Sequence, residues 1–128
     1  MKVLIFDADD RFADQAQRYF ESHADLVLRA FSAAEALKAA QSWRPDLAII
    51  DADLAGETLL RGVQALPGRP AILLTGWPDK VAHVWRAWQT GGDELLMKPL
   101  LHTDELQMAA ATARENAVTG ARGQTVAA

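Results

Sequence analysis

With 128 residues, half of them hydrophobic, the chain is the size of one domain and can bury a substantial core, which excludes wholesale disorder. Thirteen basic against 17 acidic residues leave a net charge of −4 without a basic run or stripe, which argues against nucleic acid as a ligand of this segment. The absence of cysteine excludes a disulfide framework and thiolate metal sites, and fits a reducing cytoplasm. No apolar run approaches roughly 18 residues and no basic-then-apolar leader begins at Met1, so neither a membrane span nor a signal peptide is expected.

Along the chain, short apolar runs alternate with helical periodicity, the pattern of repeated strand–helix units around a parallel sheet. Val3-Leu4-Ile5-Phe6 is the first strand. Phe12, Ala16, Tyr19 and Phe20 then share one helix face, with Asp9 or Asp10 as the cap. Leu26-Val27-Leu28 is a second strand, and Ser32-Ala33-Ala34-Glu35 matches a capping box opening the next helix. Leu47-Ala48-Ile49-Ile50 reads as a strand buried on both faces, running into Asp51. Leu59, Leu60, Val63 and Leu66 mark a third helix closed by Pro67-Gly68. Ala71-Ile72-Leu73-Leu74 is the fourth strand. Val81, Val84, Trp85 and Trp88 form a helix stripe that stops at Gly91-Gly92. Leu95-Leu96-Met97 is the fifth strand, and Leu106, Ala109, Ala110 and Ala113 place the last helix. The domain is expected to span residues 1–118, with 119–128 a flexible tail or the start of a linker.

Four of these strands end in a polar residue: Asp7, Asp51, Thr75 and Lys98. In open parallel sheets ligands bind beyond the carboxyl ends of the strands, so the four side chains are expected to meet at one edge. An isolated Asp after a strand is more often a turn former or helix cap, the preferred reading for Asp9, Asp10 and Asp79. Asp51 is different because three partners converge on it.

Phe6-Asp7-Ala8-Asp9, Asp46-Leu47-Ala48-Ile49-Ile50-Asp51, Leu73-Leu74-Thr75-Gly76 and Gly91-Gly92-Asp93-Glu94-Leu95-Leu96-Met97-Lys98-Pro99, in that order and spacing, resemble the receiver domain of two-component response regulators (the CheY-like superfamily). The resemblance covers roughly residues 2 to 117. It implies an α/β fold of flavodoxin type: a doubly wound, five-stranded parallel sheet with strand order 2-1-3-4-5. It also implies phosphoryl transfer from a histidine kinase, or a phosphotransfer protein, to Asp51. A carboxylate can carry such a group as an acyl phosphate. Asp7, Asp51 and the backbone carbonyl of Asp53 would hold Mg2+, with Asp9 as a further candidate. Lys98 would pair with the acceptor and then with phosphoryl oxygens, and the Thr75 hydroxyl would act as the switch. A cis Lys98-Pro99 peptide is implied as well.

Three departures from the family pattern stand out. The family's second acidic residue after strand one, a direct metal ligand, is Ala8 here, which weakens the expected Mg2+ site. The family's aromatic residue on strand five is Leu95. The loop after Asp51 is about three residues short. Trp77, two residues past Thr75, is bulky where it would overlie the site and slow attack by water. Trp85 and Trp88 are read as core and Trp43 as a cover at a helix end. Trp77, or an incompletely buried Trp85, could anchor a dimer through the fourth helix, fifth strand and fifth helix, the family's common partner surface. His23, His83 and His102 lack metal-ligand spacing and are read as surface residues.

The chain is therefore expected to be a phosphorylation-switched module rather than an enzyme, at most a weak autophosphatase, with an unidentified output partner. An alternative is a pseudo-receiver, an interaction module that works without phosphorylation, favoured by Ala8, Leu95 and the short loop. A third reading, a haloacid-dehalogenase-like phosphatase built on Asp7-Ala8-Asp9, ranks lowest. Gly92-Asp93 precedes Lys98 rather than following it, and the chain has no room for a cap domain.

Overall fold

The computed structural model describes residues 1–120. The elements alternate strictly: β1 (Lys2–Phe6), α1 (Asp10–Ser22), β2 (Leu26–Arg29), α2 (Ala33–Ser42), β3 (Leu47–Asp51), α3 (Glu57–Gln64), β4 (Ala71–Gly76), α4 (Val81–Thr90), β5 (Glu94–Met97) and α5 (Thr103–Thr119). A single turn of 3-10 helix, Pro78–Lys80, precedes α4. All strand pairs are parallel and the order is β2-β1-β3-β4-β5, the expected fold. Of the expected tail, residues 121–128 lie outside the described residues.

The two-residue alternation of the central strands divides the core into two layers. Val3, Ile5, Leu47, Ile49 and Leu73 face α1 and α5, where Phe12, Ala16, Phe20, Leu106 and Ala110 meet them. Leu4, Phe6, Ala48, Ile50, Ile72 and Leu74 face α2, α3 and α4. Both faces are covered, so β3 and β4 are buried along their whole length. This is why their sequences are continuous apolar runs rather than alternating ones.

The helix starts follow the side-chain chemistry. Asp9 caps α1, its Oδ1 accepting from the backbone N–H groups of Arg11 (3.1 Å) and Phe12 (3.3 Å). Ser32 Oγ accepts from Glu35 N–H (3.1 Å), and Glu35 Oε2 in turn accepts from Phe31 N–H (2.8 Å). The glutamate thus reaches one residue before the cap, a variant of the expected box. Trp43 sits at the end of α2 packed against the core, with the Lys2 ammonium 5.6 Å from its ring centre.

The stripe expected on α4 is corrected. Val84, Ala87 and Trp88 are buried, whereas Val81 is 65% and Trp85 51% exposed. The inward face is displaced because α4 seats closely on β4. A Cβ built on Gly76 would lie 2.3 Å from Val84 Cγ2, so the glycine makes that approach possible. The small Ala87 then lies against the sheet, and Trp85 turns out toward solvent.

Candidate functional site

The ladder registers build the site. Phe6 pairs with Ile50 and Asp51 pairs with Thr75, while Gly76 pairs with Met97. Asp7, Asp51, Thr75 and Lys98 therefore leave the sheet side by side, at its carboxyl edge. All four are buried. Lys98 is followed by a cis peptide to Pro99.

The four side chains form one hydrogen-bonded network. The Lys98 ammonium donates to Asp7 Oδ1 (2.9 Å) and Asp51 Oδ2 (3.3 Å). The Thr75 hydroxyl donates to Asp7 Oδ2 (2.7 Å). Backbone N–H groups supply the rest: Asp9 to Asp7 Oδ1 (2.9 Å), Asp53 to Asp51 Oδ1 (2.9 Å) and Ala8 to Asp51 Oδ2 (3.4 Å). Each carboxylate oxygen of the pair already has a donor. Two aromatic rings flank the ammonium, Trp77 at 5.5 Å and Phe12 at 5.8 Å from their centres, where a cation is attracted to the ring face. Trp77 is half-buried and leans on the site rather than standing free in solvent.

Burial dominates the electrostatics. It raises the Asp7 carboxyl from 3.8 to about 6, with the neighbouring charge of Asp51 pushing the same way. The bonds from Thr75, Asp9 N–H and Lys98 oppose the rise but do not cancel it.

The side chains of Asp9 and Asp53 turn elsewhere, while the expected ligand at Asp53 is its backbone carbonyl. The Asp9 carboxylate is taken up in capping α1. The Asp53 side chain turns toward the start of α4, where Lys80 Nζ lies at 3.0 Å and His83 Nδ1 at 2.6 Å. Burial raises the Asp53 carboxyl, but the bonds from His83 and Lys80 outweigh that and hold it below the usual carboxylate value. The sequence gives no hint of this Lys80–Asp53–His83 bridge. Lys80 and His83 are three positions apart, which puts them on one side of a helix start, but nothing local ties that side to Asp53. Below the bridge, a recess of about 270 Å³ opens between α3 and α4, lined by Gly56, Glu57, His83, Arg86 and Thr90 among others.

Asp93 stands out in the sequence only as part of a motif; the structure makes it the hub of a second buried network at the opposite edge of the sheet. Arg69 binds both its oxygens (2.8 and 2.9 Å), Ile72 N–H donates to Oδ2 (2.7 Å), and Asn116 Nδ2 donates to its carbonyl (2.8 Å). The hydrogen bond to Asp93 raises the Arg69 guanidinium above its ordinary value.

These residues do not fit the Mg2+ that the sequence resemblance implies. Mg2+ requires near-octahedral oxygen ligands. Ala8 offers no side-chain oxygen, Asp9 and the Asp53 side chain are engaged elsewhere, and the Asp7 and Asp51 oxygens are held by protein donors. Among the described residues, no group of three or more His, Cys, Asp or Glu side chains is placed to hold a metal ion.

No protein-family profile matches the chain. Regulatory protein VanR of Enterococcus faecium is 31% identical to it over 101 residues, covering 77% of this chain and 43% of VanR. The chain thus spans about two-fifths of the length of that relative. Among solved structures, a CheY-like response regulator receiver domain protein from Methanospirillum hungatei superposes with a TM-score of 0.72 at 24% identity, covering 89% of this chain and 94% of that one. The receiver domain of Francisella response regulator 1452 gives 0.71 at 24% identity, covering 90% and 97%. NtrX from Brucella abortus gives 0.79 at 20% identity, covering 98% of this chain but 28% of NtrX. The strand order, the convergence of Asp7, Asp51, Thr75 and Lys98 at one sheet edge and the relationship to VanR lead to one conclusion: the chain is a receiver domain of the response-regulator family.

Proposed function

We propose that Asp51 accepts a phosphoryl group from a phosphohistidine on a histidine kinase or phosphotransfer protein, and that this changes how the domain binds an output partner. The observation that carries the reading is the Lys98 ammonium placed between Asp51 and Asp7, 3.3 and 2.9 Å away. An Asp51 oxygen attacks phosphorus, the phosphorus–nitrogen bond breaks, and the imidazole leaves with its electron pair, giving an acyl phosphate. Lys98 then neutralises part of the new charge, as ammonium groups do for phosphates. The Thr75 hydroxyl, bonded to Asp7 at rest, is within the same network and can rotate to donate to a phosphoryl oxygen. On this reading any autophosphatase activity is weak, and the support is the half-buried Trp77 ring, whose centre lies 5.5 Å from the Lys98 ammonium.

For the output side, the support is an apolar exposed surface on the α4, β5 and α5 side: Val81 and Trp85 on α4, Met97 on β5 and Met108 on α5. We place a partner, or a second copy of the domain, against that face. A cytoplasmic location is part of the proposal on the strength of the relationship to VanR alone. Among the described residues no helix is long and apolar enough to cross a membrane.

Exposure to acetyl phosphate or phosphoramidate, with and without added Mg2+, followed by tryptophan fluorescence, tests the acceptor reading. A saturable change is expected in the native chain. It should be absent in Asp51→Asn and much smaller in Trp77→Phe, since Trp77 is the indole against Lys98. No response in the native chain removes the switch. It would leave the alternative, an interaction module independent of phosphorylation, which Ala8, Leu95 and the short loop after Asp51 favour.

A further inference from the structure

We infer that Lys98 is the resident cation of this pocket: its ammonium takes the place a divalent ion would fill, so the resting domain neither needs nor binds Mg2+. The inference rests on reading the Asp51 pocket as receiver-type, but not on any transfer of a phosphoryl group.

Three observations carry it. The first is the donor set. Of the acidic side chains near the pocket, Asp9 caps α1 and Asp53 is drawn to Lys80 and His83, while position 8 is an alanine. Only the Asp7 and Asp51 carboxylates remain beside the Asp53 backbone carbonyl, one carboxylate short of the set the family pattern implies, and water would have to complete the octahedron. The second is occupancy. Asp7 Oδ1 accepts from Asp9 N–H and Lys98, and Asp7 Oδ2 from Thr75; Asp51 Oδ1 accepts from Asp53 N–H, and Asp51 Oδ2 from Lys98 and Ala8 N–H. An entering ion would compete for the remaining lone pairs of oxygens that the protein already bonds, and any donor it displaced would be left unpaired in a buried place. The third is that the surroundings suit an ammonium. The Lys98 side chain is 1% exposed, and the rings of Trp77 and Phe12 lie within 6 Å of its nitrogen, a setting that favours a monovalent ammonium over a divalent metal that dehydrates reluctantly.

Two buried carboxylates repel one another unless something positive lies between them. Here the chain carries that charge itself, on a side chain 91 residues away in sequence from Asp7. A pocket assembled this way is complete on folding, and divalent ions have no differential affinity for the folded state through which to stabilise it.

The test is thermal unfolding of the domain as Mg2+ is raised to about 10 mM at constant ionic strength, since a ligand of the folded state raises the midpoint in proportion to its occupancy. The native chain is expected to show no saturable rise. Ala8→Asp, which adds a third carboxylate at an exposed position, should show one of about 4 °C or more. Lys98→Ala should lower the midpoint in the absence of metal and recover part of the loss with Mg2+. A saturable rise in the native chain overturns the inference, as does a Lys98→Ala chain that unfolds at the native midpoint or gains nothing from Mg2+. Should Lys98→Ala not fold, the comparison of native chain with Ala8→Asp decides alone. None of these readouts involves phosphoryl transfer. An unphosphorylated Asp51 therefore leaves the inference standing, and Mg2+ binding by the native chain leaves the acceptor reading standing.

Discussion

At Asp7 two demands conflict. Its carboxylate anchors both Lys98 and Thr75, yet burial raises its proton affinity to a pKa of about 6. In the unfolded chain the same group titrates near 3.8, so between roughly pH 4 and 6 the folded state holds the proton more tightly than the unfolded state does. Stability therefore falls as pH rises through that window, and the cost of keeping Asp7 ionised is fully present above it. Asn at this position removes the charge while keeping an acceptor for Lys98, and its amide can donate to a rotated Thr75 hydroxyl. Asp7→Asn should thus stabilise the domain at pH 7.5 by about 1–3 kcal/mol, since a tenfold difference in proton affinity between the two states corresponds to about 1.4 kcal/mol. The gain should vanish near pH 4. Urea unfolding at the two pH values checks this; a variant less stable than the native chain at both would show that the Asp7 charge contributes more through Lys98 than it costs by burial.

At the scale of elements, α4 separates what the sequence tells from what it withholds. The strands could be placed within one or two residues, because an apolar run between turn residues is a local signal and needs no partner to be recognised. Once their order is known, register alone brings Asp7, Asp51, Thr75 and Lys98 together. The face of α4 is a different matter. The frames 81/84/85/88 and 84/87/88 share Val84 and Trp88, and the choice between them depends on how closely the helix can approach β4, which Gly76 decides. Long-range polar pairs leave no periodicity at all. Arg69 with Asp93, and Asp53 with Lys80 and His83, join residues 24 to 30 positions apart, so neither network was legible. The exposed Trp85 has a consequence that can be measured. Because it is half in solvent, Trp85→Ala should change stability by less than about 1 kcal/mol, well below the cost of truncating a buried aromatic. If α4 is part of the partner face, the same substitution should abolish any concentration-dependent association seen by sedimentation. Association unchanged in the variant would place the partner surface elsewhere.

At the scale of the whole molecule, the two sheet edges carry different loads. One edge holds Asp93, Arg69 and Asn116, a satisfied buried network that ties the start of β5 to β4 and α5. The other gathers Asp51, Lys98 and Thr75, with Trp77 laid across the ammonium and the Lys80–Asp53–His83 bridge beside it. Under the proposed function a change of charge at Asp51 would act on Lys98 and, through Asp7, on Thr75, whose neighbour Gly76 lies against Val84 of α4. That is a contiguous route from the acceptor to the helix bearing Trp85. Signalling along it requires that Asp51 be the group that is modified. Intact mass after incubation with phosphoramidate, with and without Mg2+, measures this most directly, since its phosphorus–nitrogen bond imitates phosphohistidine. One added phosphoryl group is expected on the native chain, labile to hydroxylamine as an acyl phosphate is, and none on Asp51→Asn. An unmodified native chain, or equal modification of both chains, would contradict the assignment of Asp51 as acceptor.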